Sequence, residues 1–84
     1  MQQADKKLLK KFGKLLINIR KSKYPSLNKF SFSKGGVTSA TISRIENGLV
    51  DFKFSTLVKI ACALNISLED LFKEFNYKYE IEED

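Results

Sequence analysis

Apolar side chains recur every three or four positions near the start of the chain and predict a long amphipathic helix. These positions are Leu8, Leu9, Phe12, Leu15, Leu16 and Ile19, the spacing of one helical face. Asp5 is expected to cap the N-terminus of this helix. The helix must end before Pro25, because a proline disfavours helical geometry at the residue that precedes it. The pattern predicts a helix over about residues 5–22.

Four shorter helices are predicted downstream, each preceded by a hydroxyl side chain that can accept a hydrogen bond from the first helical turn. The capping positions are Ser26, Thr38, Ser55 and Ser67. Gly48 and Asn65 are expected to end the helices that follow Thr38 and Ser55. Five helices joined by short connections predict a compact all-α domain over residues 1–75.

The last residues follow a different pattern. Phe75, Tyr77, Tyr79 and Ile81 alternate with polar residues, which is typical of a half-buried strand. Because an all-α domain offers no sheet to join, we expect this strand to pair with the same segment of a second copy. The alternative is that residues 76–84, an acidic C-terminal tail, stay solvated and unpaired.

Composition narrows the class of protein. The chain has 84 residues and 9.6 kDa, enough for one domain. It has no histidine and a single cysteine, Cys62, which disfavours zinc sites, disulfides and histidine-dependent catalytic triads. We therefore expect no enzyme, no metal and no cofactor. The chain begins without the apolar stretch of a signal peptide and has no run long enough to span a membrane, so a cytoplasmic location is expected.

Charge is distributed unevenly along the chain. The net charge is +5, but residues 1–23 hold eight basic side chains against one acidic side chain. Residues 24–75 are nearly neutral, and residues 76–84 are acidic. A basic body favours a polyanionic partner, with nucleic acid first and an anionic membrane surface second. The membrane alternative is weaker because the apolar face of the first helix is expected to pack in the core of the domain.

The segment around Gly36 has the general form of two short helices joined by a glycine-containing turn. Gly36 can adopt a positive φ, and Thr38 can cap the following helix. Ile42 and Ile45 are expected to face the core. The side chains left on the outward face are small or hydrogen-bonding and suit a close approach to another molecule: Ser39, Ala40, Ser43 and Arg44.

The sequence from Gly36 to Gly48 reads Gly-Val-Thr-x-x-x-Ile-Ser-Arg-Ile-Glu-Asn-Gly. Together with Ser-Thr-Leu at 55–57 and Ile-Ser at 66–67, it resembles the Cro and phage-repressor family of helix-turn-helix proteins. The resemblance covers about residues 8–72, with the motif at about 26–47. It departs from the family in one respect: Gly36 lies five residues after Ser31, where the family has four. A one-residue extension at Gly35 would absorb the difference, so the end of the motif's first helix stays open.

The resemblance implies a five-helix DNA-binding domain that acts as a homodimer on a palindromic operator, with the helix after Thr38 in the major groove. Base contacts are expected from Ser39, Ala40, Ser43 and Arg44. Contacts to the sugar-phosphate backbone are expected from Asn28, Lys29, Thr38, Thr41, Asn47 and Lys53. Arg44 suits guanine, and its alternative role is a surface ion pair. Glu46 would repel phosphate, so we expect it to bond within the domain.

Dimer contacts are expected from the last predicted helix and the alternating segment: Leu68, Leu71, Phe72, Phe75, Tyr77, Tyr79 and Ile81. The prediction is a sequence-specific transcriptional regulator of double-stranded DNA that acts by repression. A restriction-modification controller or the antitoxin of a toxin–antitoxin pair would share these features. The competing hypothesis is a protein-interaction module that keeps the fold without reading DNA.

Overall fold

The computed structural model describes residues 2–24 and 37–79. Within these ranges the chain forms four helices and no strand: α1 (Gln3–Lys23), α2 (Ser39–Glu46), α3 (Phe54–Ala63) and α4 (Leu68–Glu74). The all-α class is therefore confirmed for the described residues. The predicted helix after Ser26 lies outside them, as do Asn28, Lys29, Ser31, Gly35 and Gly36.

Helix α1 begins at Gln3, earlier than the pattern predicts, and its N-cap residue Gln2 forms no side-chain capping bond. The prediction that Asp5 caps this helix is wrong, because Asp5 lies inside the first turn. A carboxylate at that position still interacts favourably with the N-terminal end of the helix dipole. At the other end, the Tyr24 amide donates to the Arg20 carbonyl at 2.6 Å.

The short helices are set by their caps, with one correction. Thr38 and Ser67 cap α2 and α4, accepting bonds from the Thr41 and Asp70 amides at 3.2 and 3.0 Å. Ser55 was predicted to cap the third described helix, but α3 begins at Phe54, two residues before the helix start that this cap implies. Its N-cap is Lys53, whose side chain makes no capping bond.

Two residues with positive φ end the middle helices, as predicted. Gly48 has φ 69° after α2, and Asn65 has φ 55° after α3. These turns let the Leu49 and Ile66 amides reach back to carbonyls five residues earlier, at 2.9 and 3.0 Å. The chain therefore turns sharply after each helix, which keeps α2, α3 and α4 close together.

One hydrophobic core joins the four helices. Ile42 and Ile45 are buried as predicted, and Val37 packs partly buried against the same cluster. The other buried members of the core are Phe12, Leu16, Leu57, Ile60, Ala61, Ala63, Leu64 and Leu71. Burial of this apolar surface is the main contribution that fixes the orientation of α2.

Helices α1 and α2 approach closely at Gly13. A Cβ atom added there would lie 2.3 Å from the Glu46 carbonyl oxygen and 2.7 Å from that of Ile45. Only glycine allows this separation of the two backbones. The sequence pattern alone did not reveal this contact.

Residues 75–79 form no strand, so the expected strand is absent from the described part of the tail. The segment instead packs on α1 of its own chain. The Phe75 ring meets Phe12 edge-on at 5.1 Å, and the Tyr77 ring stacks on Phe75 at 5.5 Å. The Tyr79 hydroxyl donates to the Asp5 carboxylate at 2.8 Å. Ile81 lies outside the described residues.

Candidate nucleic-acid interface

Helix α2 presents the four predicted base-contacting residues at the protein surface. Ala40 and Arg44 are exposed, while Ser39 and Ser43 are half-buried. The opposite face carries the buried residues Ile42, Ile45 and Glu46. One face of the helix is thus held by the protein, and the other is available to a partner.

Arg44 is the one cation on this face of α2. Within the described residues its guanidinium forms no ion pair, so the alternative role as a surface pair is not realised there. A free guanidinium has five N–H donors in a fixed planar arrangement. It can donate two parallel bonds to a guanine edge or bind a phosphate.

A buried ion pair anchors α2 from behind. Arg20 Nε donates to Glu46 Oε2 at 2.5 Å, and Nη2 donates to Oε1 at 3.2 Å. Arg20 Nη1 also donates to the Tyr24 carbonyl at 3.0 Å. Both side chains are about 95% buried, so neither charge is compensated by bulk water. The prediction that Glu46 bonds within the domain is confirmed.

Arg20 and Gly13 were not identified from the sequence as residues that position α2. A signal for Arg20 was present, since it follows Leu16 by four residues and therefore continues the apolar face of α1. An arginine on a buried face needs a carboxylate partner. Of the acidic residues, Glu46 alone lies in the predicted recognition helix.

Of the predicted backbone-contacting residues, those that the structure describes lie at the two ends of α2 and the start of α3. The Thr38 and Thr41 hydroxyls are 3.0 Å apart and hydrogen-bonded at the N-terminal end of α2. At the C-terminal end, the Asn47 amide donates to the Ser43 carbonyl at 2.8 Å. Lys53 is exposed beside the N-terminus of α3.

The expected dimer residues that the structure describes divide into three groups. Leu71 is fully buried in the core of its own chain and Leu68 packs against that core. Leu71 therefore offers no surface to a second copy in this structure, because the interior of a four-helix unit needs it. Phe75, Tyr77 and Tyr79 contact their own chain. Phe72 remains 48% exposed.

Residues 33–71 match the family model described as helix-turn-helix. This segment belongs to that family. The helix-turn-helix match contains α2, α3 and the start of α4, and it confirms over this segment the resemblance to Cro and phage repressors. No curated protein and no solved structure matches the chain.

The helix-turn-helix match indicates a DNA-binding transcription regulator, a class whose members are not typically enzymes. In the described part of the chain, no helix combines the length and the apolar character that crossing a membrane requires.

Proposed function

We propose that this protein is a sequence-specific regulator that places α2 in the major groove of double-stranded DNA. The observation that carries the proposal is Arg44, exposed and without an ion pair in the described part of the chain, on a helix whose other face packs in the core. Ser39, Ala40 and Ser43 add short side chains near it, which let the helix backbone come close to base edges. Sequence is then read by these four residues.

Phosphate contacts would flank this reading face. Thr38, Thr41 and Asn47 lie at the ends of α2, and Lys53 adds a cation at the start of α3. Asn28 and Lys29, outside the described residues, are proposed for the same role. Such contacts fix the register of the protein on the duplex and supply much of the affinity, without specifying sequence.

The proposed acting unit is a homodimer on a palindromic operator, and occupation of that operator would repress transcription. One recognition helix covers few base pairs, so two helices about 34–36 Å apart are the usual arrangement. Phe72 supports a dimer because it is exposed at the edge of an apolar groove of about 190 Å³. The groove is lined by Leu8, Leu9, Phe12, Asp51, Phe52, Leu57, Phe72 and Phe75. A two-fold axis would place each Phe72 against the other copy.

The deciding experiment is selection of bound duplexes from a random DNA pool with the full chain. We expect an enriched palindromic sequence whose affinity falls steeply as salt rises, since bound cations release counterions from DNA. A pool without enrichment, bound no better than by an unrelated basic protein of equal charge, would favour the protein-interaction module instead.

A further inference from the structure

A groove of about 440 Å³ lies on the side of α1 where the tail crosses it. Its walls are four lysines and one aromatic ring: Lys7, Lys10, Lys11, Lys14 and Tyr77. The DNA-reading function proposed for α2 uses none of these residues. Among the described residues, those that line this lysine groove include no acidic side chain.

The lysines form a continuous row rather than a scattered set. Lys7 precedes Lys10 and Lys11 by three and four residues, and these precede Lys14 by four and three, so the set shares one helical face. At about 1.5 Å rise per residue the row is about 10 Å long. Lys10, Lys11 and Lys14 are exposed and form no ion pair within the described ranges. A row of this length matches an extended anionic chain of two or three charges.

The aromatic wall is held in place by other rings. Phe52 packs on Phe12 at 5.6 Å, Phe12 meets Phe75, and Tyr77 stacks on Phe75 with the ring planes only 6° apart. Tyr77 is therefore the last ring of a series that starts in the core and ends in the lysine groove. Its orientation is fixed before any ligand arrives, which lowers the entropy cost of binding a flat group against it.

A cationic track beside a fixed aromatic ring is the arrangement that single-stranded nucleic acids require. Their phosphates follow the cations, and an unpaired base stacks on the ring. Duplex DNA would satisfy the lysines but not Tyr77, because its bases are already stacked on each other. We propose that the lysine groove binds nucleotides, with phosphates on Lys10, Lys11 and Lys14 and a base on Tyr77, as a single strand.

The test is titration of the full chain with a labelled oligothymidylate, followed by fluorescence anisotropy. Tyr77→Leu keeps apolar bulk against Phe75 but removes the stacking surface. We expect it to weaken binding by about 5- to 150-fold, the range for loss of one stacked base. Tyr77→Phe retains the ring and should bind within about twofold of the parent. No duplex is used, so the result does not depend on the function proposed for α2.

The role of the lysines is tested by removing two of their charges and comparing the result with a control variant that loses two charges elsewhere. Lys11→Gln with Lys14→Gln should lower the slope of log affinity against log salt by about 1.4, since each single-strand phosphate contact contributes about 0.7. The control, Lys59→Gln with Lys73→Gln, makes the same charge change at exposed positions on α3 and α4. Equal slopes for the two pairs would overturn the assignment.

Two further ligands distinguish a single strand from a free nucleotide and from a phosphate chain without bases. A single thymidine nucleotide that binds as tightly as the oligomer, and loses affinity on Tyr77→Leu, identifies a free nucleotide as the occupant of the same groove. Inorganic polyphosphate bound as tightly as the oligomer, with no effect of Tyr77→Leu on either, would refute base recognition. Should Tyr77→Leu fail to fold, the chemical shifts of the Tyr77 ring protons are followed by NMR in the parent protein during the titration. Ring-proton shifts that do not change on saturation with the oligomer would refute the site.

Discussion

The buried Arg20–Glu46 pair places two opposite charges where water cannot compensate either one alone. Glu46→Gln would leave the guanidinium inside the protein beside a neutral amide. We expect the free energy of unfolding to fall by about 3–5 kcal/mol, the usual cost of removing one member of a buried pair. Urea unfolding followed by circular dichroism measures it.

The control for this variant is Glu69→Gln, which breaks the pair between Lys73 and Glu69 on α4. Those side chains are 71% and 79% exposed, so the loss should not exceed about 0.5 kcal/mol. Similar unfolding midpoints for the two variants would show that the buried pair contributes no more than a surface one.

Arg44 is the residue on which specificity is proposed to depend. Arg44→Ala should weaken binding to the selected operator by about 1–3 kcal/mol and relax the preference at one base pair. Lys53→Ala should weaken binding to all duplexes about equally. Lys59→Ala, at an exposed position of α3 outside the proposed interface, controls for the loss of charge. Competition binding against operator variants separates the three, and an Arg44→Ala protein with unchanged preference would exclude Arg44 as a reader.

At the scale of single residues, the sequence predicts a helix cap correctly where one side chain determines it. Thr38 and Ser67 cap their helices because a hydroxyl before an apolar repeat has a nearby amide to accept from. The prediction for Ser55 is wrong because the N-cap of α3 is Lys53, two residues earlier. Capping contributes only about 1 kcal/mol, and Val50 and Phe52 in the loop before α3 pack against the core.

The contact between α1 and α2 depends on the absence of a side chain at Gly13. In Gly13→Ala the new methyl group would meet two backbone carbonyls, which cannot rotate away. Alanine favours an isolated helix by about 1 kcal/mol over glycine, but we expect the clash to prevail and stability to fall by about 2 kcal/mol.

The control for this helix is Asn18→Ala, at an exposed position of α1. That change has the propensity benefit without the clash, so a small gain in the thermal midpoint is expected. A Gly13→Ala protein as stable as the Asn18→Ala protein would mean that the two helices separate without cost.

The tail shows the limit of periodicity at the level of elements. The alternation of Phe75, Tyr77 and Tyr79 predicts which side chains lie on the same side of an extended chain. It does not predict which part of the molecule covers that side. The sequence argument assumed a partner strand. The apolar face of α1 serves instead, because edge-on and stacked rings need no backbone pairing.

Assembly belongs to the scale of the whole molecule, and Phe72 is the residue that tests it. Phe72→Glu should convert the proposed dimer to a 9.6 kDa monomer, because a carboxylate would be buried at the two-fold axis. Phe54→Glu is the control, since Phe54 is 65% exposed on another helix. Light scattering gives the mass of each variant.

Loss of the dimer in Phe72→Glu also has a consequence for DNA binding. Loss of the dimer should lower operator affinity without changing the preferred half-site, because each recognition helix still reads its own base pairs. A parent protein that is already monomeric at the concentrations where it binds its operator would exclude the dimer as the acting unit.

For the whole molecule, the all-α class and much of the core follow from the sequence, since the spacing of apolar residues directly encodes them. The partners of α1 do not, because Gly13, Arg20 and Asp5 meet residues far along the chain. Nothing local to α1 specifies those contacts.

That separation in sequence also sets the order in which the chain can fold during synthesis. Helix α1 is translated before the other described helices, but Phe12 is covered by Phe75, and Asp5 meets Tyr79 across 74 positions. The part of α1 around Phe12 that Phe75 covers is therefore completed only when almost all of the described chain has been translated. A nascent chain in that interval exposes the surface that molecular chaperones recognise.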